Sequence, residues 1–448
     1  MRAEMKRRGL HRRLARHRPV RHHRPVRHHR FARGLALAGL ASLAGASGLG
    51  GQLLVPMDRE QENHLKAYGY AFGILSEGQS AEWLLNYRAG SFLVPDVPSN
   101  RRRAALMGVT VETIDGSDVA RIRREIETRN METVPLEKAP TIAVYTPPNS
   151  SPWDDAVTMA LEYAEIPYER IWDREVLSEE LENFDWLHLH HEDFTGQYSK
   201  FYLTHASAAW MQEEVARNEA VARELGYPNV PALKKAVAAR LRSYVEGGGF
   251  LFAMCTATET LELALAAAEI DIAASFADGS PPDAAASDKL HWPDALAFRD
   301  AVLVTDPTLS AFSDIDGHQV NTPWRVDLGS FSLFEFSAKF DPVPAMLTQN
   351  HRRVLPDFYG LTTTFRKERL KPGVTVLAEE DARGRVKYLH GSFGEGTFTY
   401  LGGHDPEDPR HLIGDAPTDL DLHRHSAGYR LILNNVLFPA AKKKKLIT

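Results

Sequence analysis

The chain has 448 residues, 43% hydrophobic and 25% charged, which are ordinary proportions for a globular protein with a sizeable core. Residues 1–33 carry thirteen Lys/Arg against one acid, Glu4, so the formal charge of −6 divides into +12 there and −18 elsewhere; an acidic body argues against nucleic acid as a partner. A single cysteine, Cys255, excludes an intramolecular disulfide and a cysteine-based zinc knuckle.

The basic tract 1–33 repeats Arg-Pro-Val-Arg-His-His at 18–23 and 24–29 and lacks the apolar residues to bury a core. Residues 34–51 read as the apolar and cleavage regions of a signal peptide, with Ala44, Gly45 and Ala46 in small-x-small form. The expectation is export to the periplasm or cell exterior, with no integral membrane domain after cleavage between 47 and 53. A retained anchor and a later start at Met5 are the alternatives.

Residues 52–139 form an N-terminal α/β block: a helix over 60–76, strands at 82–87, 91–94 and 109–114, and a charged helix capped by Ser117 and ending near Arg129. Residues 130–140 read as a polar linker. From 140 to 440, strand and helix alternate. Buried strands are expected at 141–145, 168–172, 185–190 and 250–254. Helices are expected after Ser151, with Pro152 at the first position and Asp154 and Asp155 in the first turn, and over 231–246. Insertions fall at about 197–230, polar and helical, and at 270–370, rich in Pro, Asp and Ser. Sheet signals return at 374–377, 385–390 and 397–401, a helix closes the fold at 426–437, and 441–448 is a basic tail. This rhythm predicts a doubly wound α/β fold with a mainly parallel sheet and helices on both faces.

Ligands of such sheets bind beyond the C-terminal strand ends, and three polar clusters fall there. Cys255 lies between a buried strand and a helix, where the dipole lowers a thiol pKa and small neighbours permit a tight turn. Thr256 beside it is a candidate substrate contact. His404 follows the strand at 397–401, with Asp405 and Glu407 able to orient its ring as a general base. His190, His191 and Glu192 end the strand at 185–190. They are candidate substrate-binding groups, or zinc ligands in the weaker alternative, because imidazole and carboxylate suit that ion. The expected cofactor is otherwise none.

Helix, glycine turn, apolar strand, cysteine elbow, helix, and a late strand ending in Gly-His-x-Pro-Glu resemble the class I glutamine amidotransferase-like, flavodoxin-like fold. That resemblance implies a Cys–His–Glu triad on Cys255, His404 and Glu407. Ala253 and Ala257 stand where the family's elbow has glycine, and Asp405 intervenes between His404 and the Pro-Glu pair. A second likeness rests on the segments at 64–69, 83–88, 187–196, 402–408 and 428–435. It is to exported bacterial proteins labelled asparagine synthetase B. Arg2 follows the initiator Met, and no Ser-Gly-Gly-x-Asp-Ser loop occurs, so that label is a family tag rather than an activity. Three functions follow as expectations, each with a small-molecule substrate left unspecified. They are a Cys-dependent hydrolase or amidotransferase acting on an amide or ester, a metal-dependent hydrolase using the 190–193 cluster, and a non-catalytic binding scaffold.

Overall fold

A computed structural model describes residues 51–148, 155–317, 329–341, 343, 351–410 and 414–441. The basic tract, the export signal, Ser151, Pro152, Asp154 and most of the basic tail lie outside the described residues. No described helix is long and apolar enough to cross a membrane.

The N-terminal block is a five-stranded antiparallel sheet. Its strands are β1 (Gln52–Val55), β2 (Ala81–Leu85), β3 (Ser91–Pro95), β4 (Glu112–Ile114) and β5 (Glu132–Leu136), in the order β4-β1-β3-β2-β5. Helices α1 (His64–Ser76), α2 (Pro98–Met107) and α3 (Gly116–Thr128) join them. Two local expectations are corrected. Asp115, not Ser117, caps α3, because Asp115 and Asp118 form a reciprocal capping box. The expected linker contains β5, whose Pro135 is tolerated because β5 is an edge strand.

The second sheet has nine strands, in the order β11-β10-β12-β13-β14-β9-β8-β6-β7. They are β6 (Ile142–Tyr145), β7 (Glu169–Ile171), β8 (Trp186–Leu189), β9 (Phe250–Met254), β10 (Ser330–Leu333), β11 (Val354–Pro356), β12 (Thr375–Glu380), β13 (Val386–Phe393) and β14 (Gly396–Leu401). Strands β7, β6, β8, β9 and β14 are parallel neighbours; the others pair antiparallel. The protein is therefore α/β with one antiparallel and one mixed sheet and mostly antiparallel pairings, not the mainly parallel sheet expected. The reason is connection length. Only a few residues separate β12 from β13 and β13 from β14, and so short a link can join only antiparallel neighbours. Part of the stretch read as an insertion, 270–370, extends the same sheet as β10 and β11.

Helices α4 (Ala156–Tyr163), α5 (Asp173–Leu177), α6 (Tyr202–His205), α7 (Ala209–Glu224), α8 (Val230–Glu246), α9 (Ala257–Ala266), α10 (Ser275–Asp278), α11 (Ala286–Lys289) and α12 (Ala427–Leu437) are the remaining described α-helices. Alternate strand residues feed two cores, as the two-residue period of a strand requires. Ile142, Val144, Trp186 and Phe252 pack with α1, α4 and α12. Ala143, Tyr145, Leu187 and Leu251 pack with α8 and α9 on the opposite face. Both faces of the parallel half are thereby buried, which matches its apolar strand sequences.

Candidate functional site

Parallel pairing aligns strand ends. Leu189 sits opposite Ala253, and Met254 opposite Leu401, so the turns after β8, β9 and β14 open on one edge of the sheet. That edge gathers His190, Cys255 and His404. The Ala257 amide donates to the His190 carbonyl at 3.1 Å and ties two of the turns together.

Cys255 occupies a left-handed conformation, φ +49°, at the strand-to-helix turn, a costly geometry for a residue with a Cβ. Its sulfur is buried. Burial pushes the thiol up from its ordinary value, opposite to the dipole-based expectation. The Thr256 hydroxyl, 3.6 Å away, and the amides of Leu361, Thr362 and Thr256 work against that rise. Thr256, a candidate substrate contact, is itself buried and faces the sulfur.

Asp155, which caps α4 through the amides of Val157 and Thr158, begins a polar chain. His190 Nδ1 lies 3.1 Å from Asp155 Oδ1, and His190 Nε2 lies 3.1 Å from His404 Nδ1. His188 Nε2 stands 3.2 Å from Asp155 Oδ2. Burial alone would raise the Asp155 carboxyl, but the two imidazoles hold it well below the usual carboxylate range. Burial pushes His190 down from its ordinary value, against the opposing pull of Asp155. With Asp155 ionised, His190 donates through Nδ1–H. Neutral His190 then offers a lone pair at Nε2, which accepts the Nδ1–H of His404. A neutral His404 in that tautomer is basic at Nε2.

The two acids expected to orient His404 are engaged elsewhere. Asp405 accepts from the Glu407 amide at 2.9 Å and the Thr418 hydroxyl at 2.7 Å, and Glu407 lies 2.8 Å from His423 Nδ1. His190, backed by Asp155, stands at the His404 ring instead. His191 is partly exposed beside them, its ring 5.7 Å from that of His404. Burial raises the Glu192 carboxyl, partly offset by His191 and Lys234. One ligand atom each from His190, His191 and His404 lies within 4.8 Å of the others; Glu192 is not in that group.

The strongest omission from the sequence reading is the segment 357–364. The position a Cβ on Gly360 would take is 2.9 Å from Cys255 Sγ and 3.0 Å from the backbone of Gly403, so this glycine fits between the cysteine and histidine turns. The His404 amide donates to the Tyr359 carbonyl at 2.7 Å, and the Gly403 amide to Thr362 at 2.9 Å. A buried ion pair anchors the segment: Lys387 Nζ lies 2.6 Å from Asp357 Oδ1 and donates to the Phe358 carbonyl at 2.6 Å. The Thr362 hydroxyl donates at 2.9 Å to Glu259, whose carboxyl burial pushes up to about 8. The run Gly360-Leu-Thr-Thr-Thr364 was the available signal, but nothing local in it points to Cys255.

No protein-family profile matches the chain, and no curated protein does. Among solved structures, similarity extends to the cytoplasmic proteins STM3548 from Salmonella typhimurium and STM1381 from Salmonella typhimurium LT2. Identities are 10% and 11% and TM-scores 0.32 and 0.33, over 68% and 67% of this chain and all of theirs. A β-galactosidase from Bacillus circulans sp. alkalophilus matches 66% of this chain with 31% of its own, at 12% identity and a TM-score of 0.28. Likeness at this level carries no argument about fold or activity.

Proposed function

We propose that the protein is an exported hydrolase or acyl transferase acting on an amide or ester, with Cys255 as nucleophile and His404 as general base. The observation that carries the reading is the parallel register of β9 and β14, which sets the cysteine and histidine turns side by side against Gly360. The order β7-β6-β8-β9-β14, numbered by appearance as 2-1-3-4-5, supports a doubly wound, amidotransferase-like scaffold for the parallel half.

In the reaction, His404 Nε2 takes the Cys255 proton as sulfur attacks the carbonyl carbon. The C–N or C–O bond then breaks, and the leaving group takes that proton from the imidazolium. Water, deprotonated by the same nitrogen, cleaves the thioester and restores the thiol. Asp155 and His190 hold the His404 ring and its tautomer. Gly360 lies against the sulfur and forms one wall of the site.

The test is a panel of p-nitrophenyl esters and anilides with wild type, Cys255→Ala and His404→Ala. Turnover by wild type, lost by at least ~100-fold in either variant, is the expected result. Turnover that survives Cys255→Ala removes the thiol mechanism.

A further inference from the structure

The relay that orients His404 is also a set of three convergent imidazoles. We propose that His190, His191 and His404 form an inhibitory site for a divalent transition-metal ion of the zinc class, which withdraws His404 from Cys255 when bound. This rests on the thiol reading above for its consequence, though not for the site itself.

Geometry comes first. Nitrogens bound to one tetrahedral zinc at ~2.0–2.1 Å lie ~3.3 Å apart. His190 Nε2 and His404 Nδ1 are already 3.1 Å apart, with ring planes inclined by 69°. A ligand atom of His191 completes a triangle no wider than 4.8 Å. Closing it requires side-chain adjustment of about an ångström, within reach of the partly exposed His191.

Chemistry of the donors selects the ion. Imidazole nitrogens suit Zn²⁺, Cu²⁺, Ni²⁺ or Co²⁺, and disfavour Mg²⁺ and Ca²⁺, which take oxygen. Asp155 accepts from the far nitrogen of His190, the carboxylate-behind-histidine arrangement that fixes a metal-binding ring. His190 and His404 are buried while His191 is partly exposed, which leaves a side open for water as a fourth ligand. The neighbouring trio of Asp155, His188 and His190 is fully enclosed, and its His188 Nδ1 lies 3.2 Å from the Phe252 carbonyl. That trio therefore fits a structural role.

Inhibition follows from proton counting. The His190–His404 hydrogen bond needs one N–H and one lone pair, whereas the ion needs a lone pair from both nitrogens. Binding therefore moves the single proton of His404 from Nδ1 to Nε2, by exchange through solvent, and replaces the hydrogen bond by two metal–nitrogen bonds. With Nε2 protonated, His404 cannot accept a proton from Cys255. The same residues serve as a relay or as a metal site, never both at once.

The experiment titrates the metal-stripped full chain with ZnCl₂, with MgCl₂ as control, by calorimetry, and with CoCl₂ by visible absorption. It follows iodoacetamide labelling of Cys255 in parallel. One Zn²⁺ per chain, a tetrahedral Co²⁺ spectrum, equal affinity in Cys255→Ser and at least ~10-fold weaker binding in His191→Ala are expected. Labelling slows at least ~10-fold with Zn²⁺ and recovers with EDTA. No Zn²⁺ uptake, or uptake unchanged in both His191→Ala and His190→Ala, overturns the site. Stoichiometric Zn²⁺ that leaves labelling unchanged, or that hydrolysis requires, overturns inhibition while the site stands. Survival of ester turnover in Cys255→Ala defeats the thiol reading separately, because the metal titration does not depend on it.

Discussion

At the residue scale, burial sets the chemistry. Glu259 follows Cys255 by one helical turn and accepts from Ser313 and Thr362, while burial, helped by nearby Asp316, pushes its carboxyl up to about 8. The folded state thus holds a proton that an unfolded chain releases near pH 4.5. Between those values folding takes up a proton, so this group's contribution is full below about 4.5 and is lost as pH rises through about 8. The loss amounts to about 3–5 kcal/mol. Glu259→Gln keeps the shape and removes the titration. Its melting temperature relative to wild type should therefore rise between pH 5 and 8.5, and parallel curves would show that Glu259 is not the titrating group. For His190, the expectation is graded. His190→Leu removes the acceptor at Nε2 along with the link to Asp155. Iodoacetamide labelling of Cys255 at pH 7 should then slow by about 10-fold while circular dichroism stays native. Unchanged labelling would detach the relay from the thiol.

At the element scale, the irregular segment 357–364 links the cysteine and histidine turns. Residues 357–364 hold Cys255 and His404 together, and Lys387 on β13 holds the segment through a carboxylate and a carbonyl. The ammonium also lies 4.1 Å from the Phe358 ring centre, a buried cation–π contact. Removing one partner of a buried pair leaves the other charge stranded, which costs about 3–5 kcal/mol. Lys387→Met should lose that much in urea unfolding, whereas Lys387→Met with Asp357→Leu should recover most of it. Equal losses in the single and double variants would show that the pair does not act as a unit. The segment lies within residues that read as an insertion because Pro, Asp and Ser crowd them. Their order comes from contacts with β9, β13 and β14, which no local pattern records.

At the scale of the whole molecule, Arg430 joins α12 to the N-terminal block. It is fully buried in α12, yet NH1 donates to the Met57 carbonyl at 3.1 Å, NH2 to Ala89 at 2.9 Å, and Nε to the Tyr68 hydroxyl at 3.3 Å. Tyr68 in turn donates to Asn434 on the same helix at 2.5 Å. Arg430→Met strands the Ala89 carbonyl at about 1–3 kcal/mol, while the Met57 carbonyl keeps His64 Nε2 at 2.9 Å. Calorimetry of wild type should show one transition covering both sheets, and the variant should melt lower or in two steps. An unshifted single transition would show that Arg430 does not hold α12 to that block.

Much was legible because it was local. The strand at Phe250–Met254, the helices α8 and α12 and the polar insertion follow from apolar period, caps and glycine stops, which depend on neighbours in sequence. The placing of Cys255 and His404 at strand ends was legible for the same reason. What local pattern cannot carry is pairing. The antiparallel extension from β10 to β14, the edge role of β5, and the choice of His190 with Asp155 beside His404 each join residues distant in the chain. Hydrogen-bond partners across a sheet are selected by register and burial after the chain has folded. Sequence alone determined where reactive groups end each strand; the tertiary structure decided which of them meet, because that depends on strand order.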